Sequence, residues 1–174
     1  MSSRHFKIAL ICIAVVIAGF IIRTSRVSKT NGSGNLSEGM MAPSFTAQLA
    51  DGGKFSISEN RNNVVVLNFW ATWCGPCVGE MPAFEKLKND RMSGVEIVAV
   101  NYQESKADVD AFIKENGFTF DIAYDEKGEI CDLYPTNGIP YTLIIKNGII
   151  EKTFVGAPAD AYNTYKAAIE ECLK

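Results

Sequence analysis

The sequence predicts an α/β domain in which a central mixed β-sheet is flanked by helices. Apolar runs rich in β-branched residues alternate with segments of helical periodicity, as at 64–69 followed by 75–90. This alternation is typical of parallel strands joined through helices. The chain then ends with two short apolar runs on either side of Asn147-Gly148, a dipeptide that favours a tight hairpin turn. Parallel crossovers followed by an antiparallel hairpin together give a mixed sheet.

The individual elements follow from these periods and from the turn residues between them. Asp51-Gly52-Gly53 predicts an N-terminal hairpin between strands at 45–49 and 54–57. The other predicted strands are apolar runs bounded by turn residues, at 64–69, 95–100, 118–122, 141–145 and 149–155. The predicted helices are at 75–90, 105–116, 126–134 and 160–173. Pro82 lies inside the first of them and should kink it, because proline removes one helix hydrogen bond.

The N-terminal part of the chain predicts a membrane anchor and a tether. Residues 8–22 are all apolar or small, a run close to the shortest that spans a bilayer as a helix. Arg23 follows directly, without the small-x-small cleavage site of a secretory signal. We therefore expect residues 1–23 to form a retained signal anchor; a cleaved signal and a buried core helix are the alternatives. Residues 24–38 predict a flexible tether, and 39–174 a single folded domain.

The charge distribution bears on the partners of this domain. All 20 acidic residues lie at position 38 or beyond, with 12 of the 17 basic residues, so the folded part has a formal charge of −8. This balance argues against nucleic-acid binding, which needs a basic face. Basic residues lie on both sides of the apolar run, so charge alone does not set its orientation in the membrane.

Two cysteines at the start of the helix after the central strand are the candidate reactive groups. A helix N-terminus presents unpaired N–H groups and a partial positive charge, and both favour thiolate over thiol. We expect Cys74 to be an exposed nucleophile at the helix start. Cys77, one turn further, should be the shielded thiol that resolves a mixed disulfide and pairs with Cys74. A purely structural disulfide is the alternative.

Other uses of a Cys-x-x-Cys pair fit the sequence less well. Covalent haem attachment needs His directly after the second cysteine, and Val78 stands there. Zinc binding needs further Cys or His ligands, but the one histidine is His5, and Cys131 and Cys172 lack ligand-like spacing. We therefore expect neither a metal site nor a bound cofactor. We also expect Cys131 and Cys172 to be free thiols on opposite faces of the sheet.

Several motifs together identify a family resemblance. Trp73-Cys74-Gly75-Pro76-Cys77 resembles the thioredoxin active site, and the wider pattern resembles the membrane-anchored, extracytoplasmic thioredoxin-like reductases of the ResA/TlpA type. The resemblance runs from about Ala42 to the C-terminus. The motifs that carry it are Ala42-Pro43-Ser44-Phe45, Asn68-Phe69-Trp70-Ala71-Thr72-Trp73-Cys74, Cys77-Val78-Gly79-Glu80-Met81-Pro82, Val98-Ala99-Val100-Asn101 and Gly138-Ile139-Pro140. It implies a thioredoxin fold with an added N-terminal hairpin and a central insertion at 105–122.

The resemblance also implies roles for residues beside the cysteine pair. Gly75 and Pro76 form the loop between the cysteines, and the residues at these positions tune the reduction potential of the pair in the family. The Gly-Pro dipeptide resembles that of thioredoxin, one of the more reducing members. Trp73 shields the disulfide and offers an apolar contact to a substrate.

A second segment implied to bind substrate lies at 139–141. Pro140 is implied to be a cis-proline opposite the dithiol, with Ile139 pairing with the substrate backbone and Tyr141 shaping the substrate groove. An ordinary trans proline at a sheet edge is the alternative.

Glu80 is the candidate proton-transfer group. It lies three residues after Cys77, about one helical turn along. A carboxyl at a mostly apolar junction of strand and helix is partly desolvated, which raises its pKa and suits it to exchange a proton with a thiol near neutral pH. Thioredoxin has an acid on the preceding strand, where this chain has Asn68, and the resemblance implies that Glu80 takes over that role. The alternative is a solvent-facing glutamate.

The resemblance finally implies an activity and its partners. It implies a protein-disulfide reductase held on the outer side of the cell membrane by one N-terminal span. The implied substrate is the Cys-x-x-Cys-His segment of apocytochrome c before haem attachment, and the implied electron donor is a thiol protein of the membrane. We expect a monomer.

Other activities remain as alternatives. A general envelope or sporulation thiol reductase would use the same dithiol on another protein. A disulfide-introducing oxidase would run the exchange in the opposite direction, and a copper-delivery module would use the two cysteines as ligands. A peroxidase of the same superfamily would have Thr three residues before its cysteine, and Ala71 at that position argues against this activity.

Overall fold

The computed structural model describes residues 36–174, so the predicted anchor at 1–23 and most of the predicted tether at 24–38 lie outside the described residues. The strands are β1 (Thr46–Gln48), β2 (Lys54–Ser56), β3 (Val64–Trp70), β4 (Val95–Tyr102), β5 (Asp121–Asp125), β6 (Tyr141–Lys146) and β7 (Ile149–Val155). The helices are α1 (Gly75–Asn89), α2 (Lys106–Asn116) and α3 (Ala161–Cys172), with a one-turn 3-10 helix at Cys131–Leu133. Within 36–174, no helix has both the length and the apolar character needed to cross a membrane.

The strands form a hairpin and a mixed sheet, as the sequence predicts. β1 and β2 pair antiparallel, and the other five strands lie in the order β5-β4-β3-β6-β7. β3, β4 and β5 run parallel, whereas β6 is antiparallel to β3 and β7 is antiparallel to β6. All seven residues of β3 are buried, because this strand lies in the middle of the sheet with both of its faces covered.

One face of the sheet packs against the helices. Val64, Val66 and Trp70 of β3 point to this side and join one apolar cluster, as the two-residue period of a strand requires. Phe84 of α1 and Tyr165 of α3 stack with ring centroids 5.3 Å apart and nearly parallel planes. This stacking fixes the C-terminal helix against the helix that begins at the cysteine pair.

The opposite face is covered by the N-terminal segment, which crosses the sheet from one edge to the other. At the β7 edge, the N–H of Gly39 donates to the carbonyl of Ile150 at 2.8 Å. At the β5 edge, the N–H of Ala50 donates to the carbonyl of Ile122 at 2.8 Å. Between these two contacts, Phe45 packs edge-on against Tyr134 with centroids 5.9 Å apart. The added hairpin therefore completes the second half of the core.

The prediction of a helix at 126–134 is wrong, because turns and the short 3-10 helix occupy this segment. The carboxylate of Asp125 accepts the backbone N–H groups of Ile130 and Cys131 at 3.1 and 2.8 Å, so it competes with helical hydrogen bonding. Gly128 has φ +75°, a conformation that interrupts a right-handed helix.

The strand predicted at 118–122 is displaced, since β5 spans Asp121–Asp125. Phe118 and Phe120 do not join the strand. Their rings lie 5.6 Å apart, and Phe118 also contacts Phe112 of α2. The side chains of Phe118 and Phe120 therefore pack into the apolar cluster on the helix face of the sheet. Backbone pairing with β4 begins only at Asp121.

Among residues 36–174, the two cysteines outside the Cys74–Cys77 pair are free thiols, and their number can be measured. Cys131 is a free thiol buried on the hairpin face, and Cys172 is a free thiol beside the helix face. We expect mass spectrometry of the oxidised, unfolded Cys12→Ser protein to show two alkylated thiols, and four after reduction. A count of zero before reduction would contradict the separation of these cysteines by the sheet.

Candidate active site

The cysteine pair lies at the N-terminus of α1, directly after the central strand. Cys74 and Cys77 form a disulfide. Cys74 is the N-cap residue of the helix, and its Sγ accepts the backbone N–H of Cys77 at 3.3 Å. Pro76 lies in the first turn, where its missing N–H leaves no helical hydrogen bond unmade. In the dithiol state the same N–H and the positive end of the helix dipole stabilise a thiolate on Cys74.

Both cysteines are nearly buried in this disulfide form. Cys74 is 6% exposed and Cys77 1%, so the expectation that Cys74 is openly exposed is wrong, although it is the more accessible of the two. Its sulfur packs into the apolar cluster of the helix face and lies 3.8 Å from the carbonyl oxygen of Ile139. A Cβ placed on Gly75 would meet open space, so the loop between the two cysteines borders solvent at this residue.

The segment at 139–141 forms the opposite wall. The Ile139–Pro140 peptide bond is cis, and Ile139 is half-buried with its carbonyl facing Cys74. The expectation that Tyr141 lines the substrate groove is wrong, because its side chain is buried in the core. It is 2% exposed and stacks on Phe69 on the hairpin face, because it belongs to β6, so it supports the wall from within the core.

An open groove adjoins the cysteine pair. It has a volume of about 410 Å³ and lies between the loop before Cys74 and the segment at 131–139. Trp73, Tyr102 and Ile139 lie along it, and Trp73 is 67% exposed. The exposed indole presents an apolar surface to solvent beside the disulfide.

Glu80 is buried, which rules out the alternative of a solvent-facing glutamate. Its side chain is 2% exposed. One carboxyl oxygen accepts the side-chain N–H of Asn68 at 2.9 Å, and the other accepts the hydroxyl of Tyr165 at 2.7 Å. Loss of hydration on burial raises the pKa of Glu80 to about 7, against the lowering effect of these two hydrogen bonds.

The partners of Glu80 belong to a closed ring of four side chains. Asn68 also donates to the hydroxyl of Thr142 at 2.9 Å, and that hydroxyl lies 3.3 Å from the hydroxyl of Tyr165. The four groups come from β3, α1, β6 and α3. Sequence reasoning missed Thr142 and Tyr165, because Tyr165 lies 85 positions from Glu80 and Thr142 lies 74 positions from Asn68, and no local pattern connects them.

A second carboxylate holds the loop that leads into the cysteine pair. Glu104, two residues after the end of β4, accepts the backbone N–H of Thr72 at 2.7 Å and also its hydroxyl. The side-chain N–H of Asn101 donates to the same carboxylate at 2.7 Å. Sequence reasoning missed this contact as well, since a glutamate after a strand has no local feature that marks it as a loop anchor.

For the loop anchor, we expect Glu104→Ala to lower the free energy of unfolding by on the order of 2 kcal/mol, since hydrogen bonds to a carboxylate are lost. Hydrogen exchange of the Thr72 amide should accelerate. Glu85→Ala is a matched control, because Glu85 accepts the N–H and hydroxyl of Thr119 at 2.7 and 2.6 Å. Equal exchange of Thr72 in both variants would contradict the anchoring role.

The buried carboxyl of Glu80 should make the stability of the disulfide form depend on pH. Between about pH 4.5 and 7 the folded state holds a proton that the unfolded state has released, so stability falls as pH rises. We expect the difference in unfolding free energy between the wild type and Glu80→Gln to change by about 3 kcal/mol across this window. Denaturant titrations at several pH values measure it, and parallel curves for the two proteins would contradict it.

The described residues contain no candidate metal site: within 36–174, no three His, Cys, Asp or Glu side chains are grouped so that they could hold a metal ion. The groups that the structure brings together at this site are a disulfide, a carboxyl whose pKa is raised to about 7 and an apolar groove.

Comparisons with known proteins agree with this geometry. The model of the AhpC/TSA family matches residues 39–153. The thiol-disulfide oxidoreductase ResA of Bacillus subtilis is 36% identical over 132 residues, which cover 75% of this chain and 74% of ResA. The ResA protein of Oceanobacillus iheyensis is 36% identical over 153 residues, which cover 87% of this chain and 79% of that protein.

A solved structure shares the fold. The crystal structure of a putative thiol:disulfide interchange protein DsbE from Chlorobium tepidum superposes with a TM-score of 0.74 at 30% identity, covering 80% of this chain and 100% of that chain. The expected thioredoxin fold with an added N-terminal hairpin is thereby confirmed. Together with the sequence matches, this shows that the protein belongs to the AhpC/TSA family of thioredoxin-like proteins and is a thiol–disulfide oxidoreductase whose redox group is a cysteine pair.

Proposed function

We propose that this protein reduces protein disulfides outside the cytoplasm, and that its substrate is the Cys-x-x-Cys-His segment of apocytochrome c before haem attachment. The observation that carries the reductase chemistry is the juxtaposition of Cys74 and Cys77 at the start of α1 with Glu80 buried one turn further along. The substrate and the direction of the reaction rest on the resemblance to the anchored reductases.

The first step starts from the dithiol form. The thiolate of Cys74 attacks one sulfur of the substrate disulfide and forms a mixed disulfide, and the other substrate sulfur leaves as a thiolate that takes up a proton. The N–H of Cys77, which contacts the Cys74 sulfur in the disulfide form, stabilises the attacking thiolate. The open side at Gly75 gives the substrate sulfur room to approach.

The second step releases the substrate. Cys77 gives its proton to the carboxylate of Glu80, and its thiolate attacks the sulfur of Cys74. The second substrate sulfur leaves and is protonated, and the Cys74–Cys77 disulfide remains. Two electrons have passed from the protein to the substrate. A carboxyl with a pKa of about 7 is suited to this transfer, because both of its protonation states are populated near neutral pH.

Recognition of an unfolded chain is supported by the groove and by charge. Trp73 and Ile139 provide apolar contacts on either side of Cys74, and an extended segment of substrate fits a groove of this kind. The formal charge of −8 over residues 38–174 favours a basic protein partner through electrostatic attraction.

The location and the electron supply belong to the same proposal. We propose that residues 8–22 are the membrane span and residues 24–38 the tether that holds the folded domain on the outer side of the cell membrane. We also propose that the protein acts as a monomer. Space outside the cytoplasm lacks the cytosolic thiol pool, so a membrane thiol protein must reduce the Cys74–Cys77 disulfide after each turnover.

The proposal is tested by haem staining of covalent c-type cytochromes in a strain that lacks this protein. We expect the stain to be lost and to return with an added small thiol, because chemical reduction replaces the missing activity. A plasmid copy carrying Cys172→Ser should restore the stain, whereas Cys74→Ser should not. Normal staining in the deletion strain would overturn apocytochrome c as the substrate and favour a reductase of other envelope or spore proteins.

A further inference from the structure

The hydrogen bonds around Glu80 all run toward its carboxylate. Asn68 donates to one carboxyl oxygen, Oε1, and to the hydroxyl of Thr142. The hydroxyl of Thr142 donates to that of Tyr165, and the hydroxyl of Tyr165 donates to the second carboxyl oxygen, Oε2. The ring is thus arranged for the ionised form of Glu80.

The two carboxyl oxygens differ in whether they can carry a proton. Oε1 faces the NH₂ group of Asn68, which can only donate, so a proton on Oε1 would meet another hydrogen. Oε2 faces the hydroxyl of Tyr165, which can donate or accept. When Oε2 is protonated it can donate to Tyr165, whose own hydrogen then turns toward the oxygen of Thr142, 3.3 Å away.

We propose that the hydroxyl of Tyr165 is the positioning group of Glu80: it directs the exchanging proton to Oε2 and, by donating to the carboxylate, lowers the pH at which that proton is gained and lost. The tyrosine satisfies the buried carboxyl in both protonation states by reversing two hydrogen bonds, its bond with Oε2 and its bond with Thr142. The catalytic meaning of this inference rests on the proposed proton exchange between Glu80 and Cys77.

Of the two hydrogen-bond partners of the Glu80 carboxyl, only the hydroxyl of Tyr165 can either donate or accept. The groups that contact the Glu80 carboxyl are Asn68 from β3 and Tyr165 from α3, with Thr142 of β6 behind Tyr165. None carries a charge in the disulfide form, and no charged side chain within 36–174 forms an ion pair or hydrogen bond with Glu80. Burial raises the pKa of Tyr165 itself, so its hydroxyl keeps its proton at neutral pH.

Packing fixes the position of this hydroxyl. Tyr165 is fully buried, with its ring stacked on Phe84 and in edge contact with Phe154, each at 5.3 Å between centroids. Phenylalanine fills the same space and keeps these ring contacts. Tyr165→Phe therefore removes the hydroxyl and little else.

The test is a titration of Glu80 by NMR in the full-length disulfide form, with ¹³C-labelled glutamate carboxyls assigned through Glu80→Gln. We expect Tyr165→Phe to raise the midpoint by about one pH unit, because the ionised carboxylate loses a donor while remaining buried. Tyr134→Phe is the matched control: Tyr134 is equally buried, and its hydroxyl donates to the carbonyl of Pro43 on the other face. An equal midpoint in the two variants would overturn the proposal.

A second measurement needs no change at Tyr165. In the wild-type protein, the ¹³Cζ signal of Tyr165 should shift with the same midpoint as the Glu80 carboxyl, and this shift should vanish in Glu80→Gln. A Tyr165 signal that does not respond to the Glu80 titration would overturn the proposal. Both titrations are read without substrate, so they succeed or fail independently of the haem-staining result and of the proposed reductase activity.

Discussion

A carboxyl group placed inside the core is the constraint on which the rest of the site depends. A buried polar group is tolerated only when its hydrogen bonds are made, and Glu80 obtains them from side chains on the central strand and on the C-terminal helix. The helix that begins at the cysteine pair therefore reaches its stable position only when the sheet and α3 are also in place. The folded core and the active site therefore depend on the same contacts.

The loop and helix that carry the cysteine pair are anchored to the rest of the protein, whereas the residues beside the pair border solvent. Glu104 fixes the preceding loop through Thr72, and the helix N-terminus fixes Cys74 through the N–H of Cys77. The exposed ring of Trp73 and the empty space beyond Gly75 lie on the solvent side. This division suits a reaction in which the protein sulfurs must keep their geometry while partner chains of varied shape approach and leave.

Sequence reasoning succeeded where the information is local. The strand that ends at the cysteines, the helix that follows and the position of Glu80 relative to Cys77 are all set within a few residues. The wrong helix at 126–134 shows the limit, because one side chain, Asp125, captures backbone groups that periodicity assigns to a helix. Thr142 and Tyr165 could not be found in this way, since their importance arises only when strands and helices distant in sequence meet.

The N-terminal segment has a consequence beyond filling the core. It hydrogen-bonds to the β7 edge near Ile150 and to the β5 edge near Ile122, so both outer strands of the main sheet are partly occupied by the chain itself. Unpaired strand edges are the usual starting points for intermolecular sheet growth. The N-terminal segment therefore leaves fewer backbone groups free on these edges for pairing with another chain, including an unfolded polypeptide joined through its sulfur.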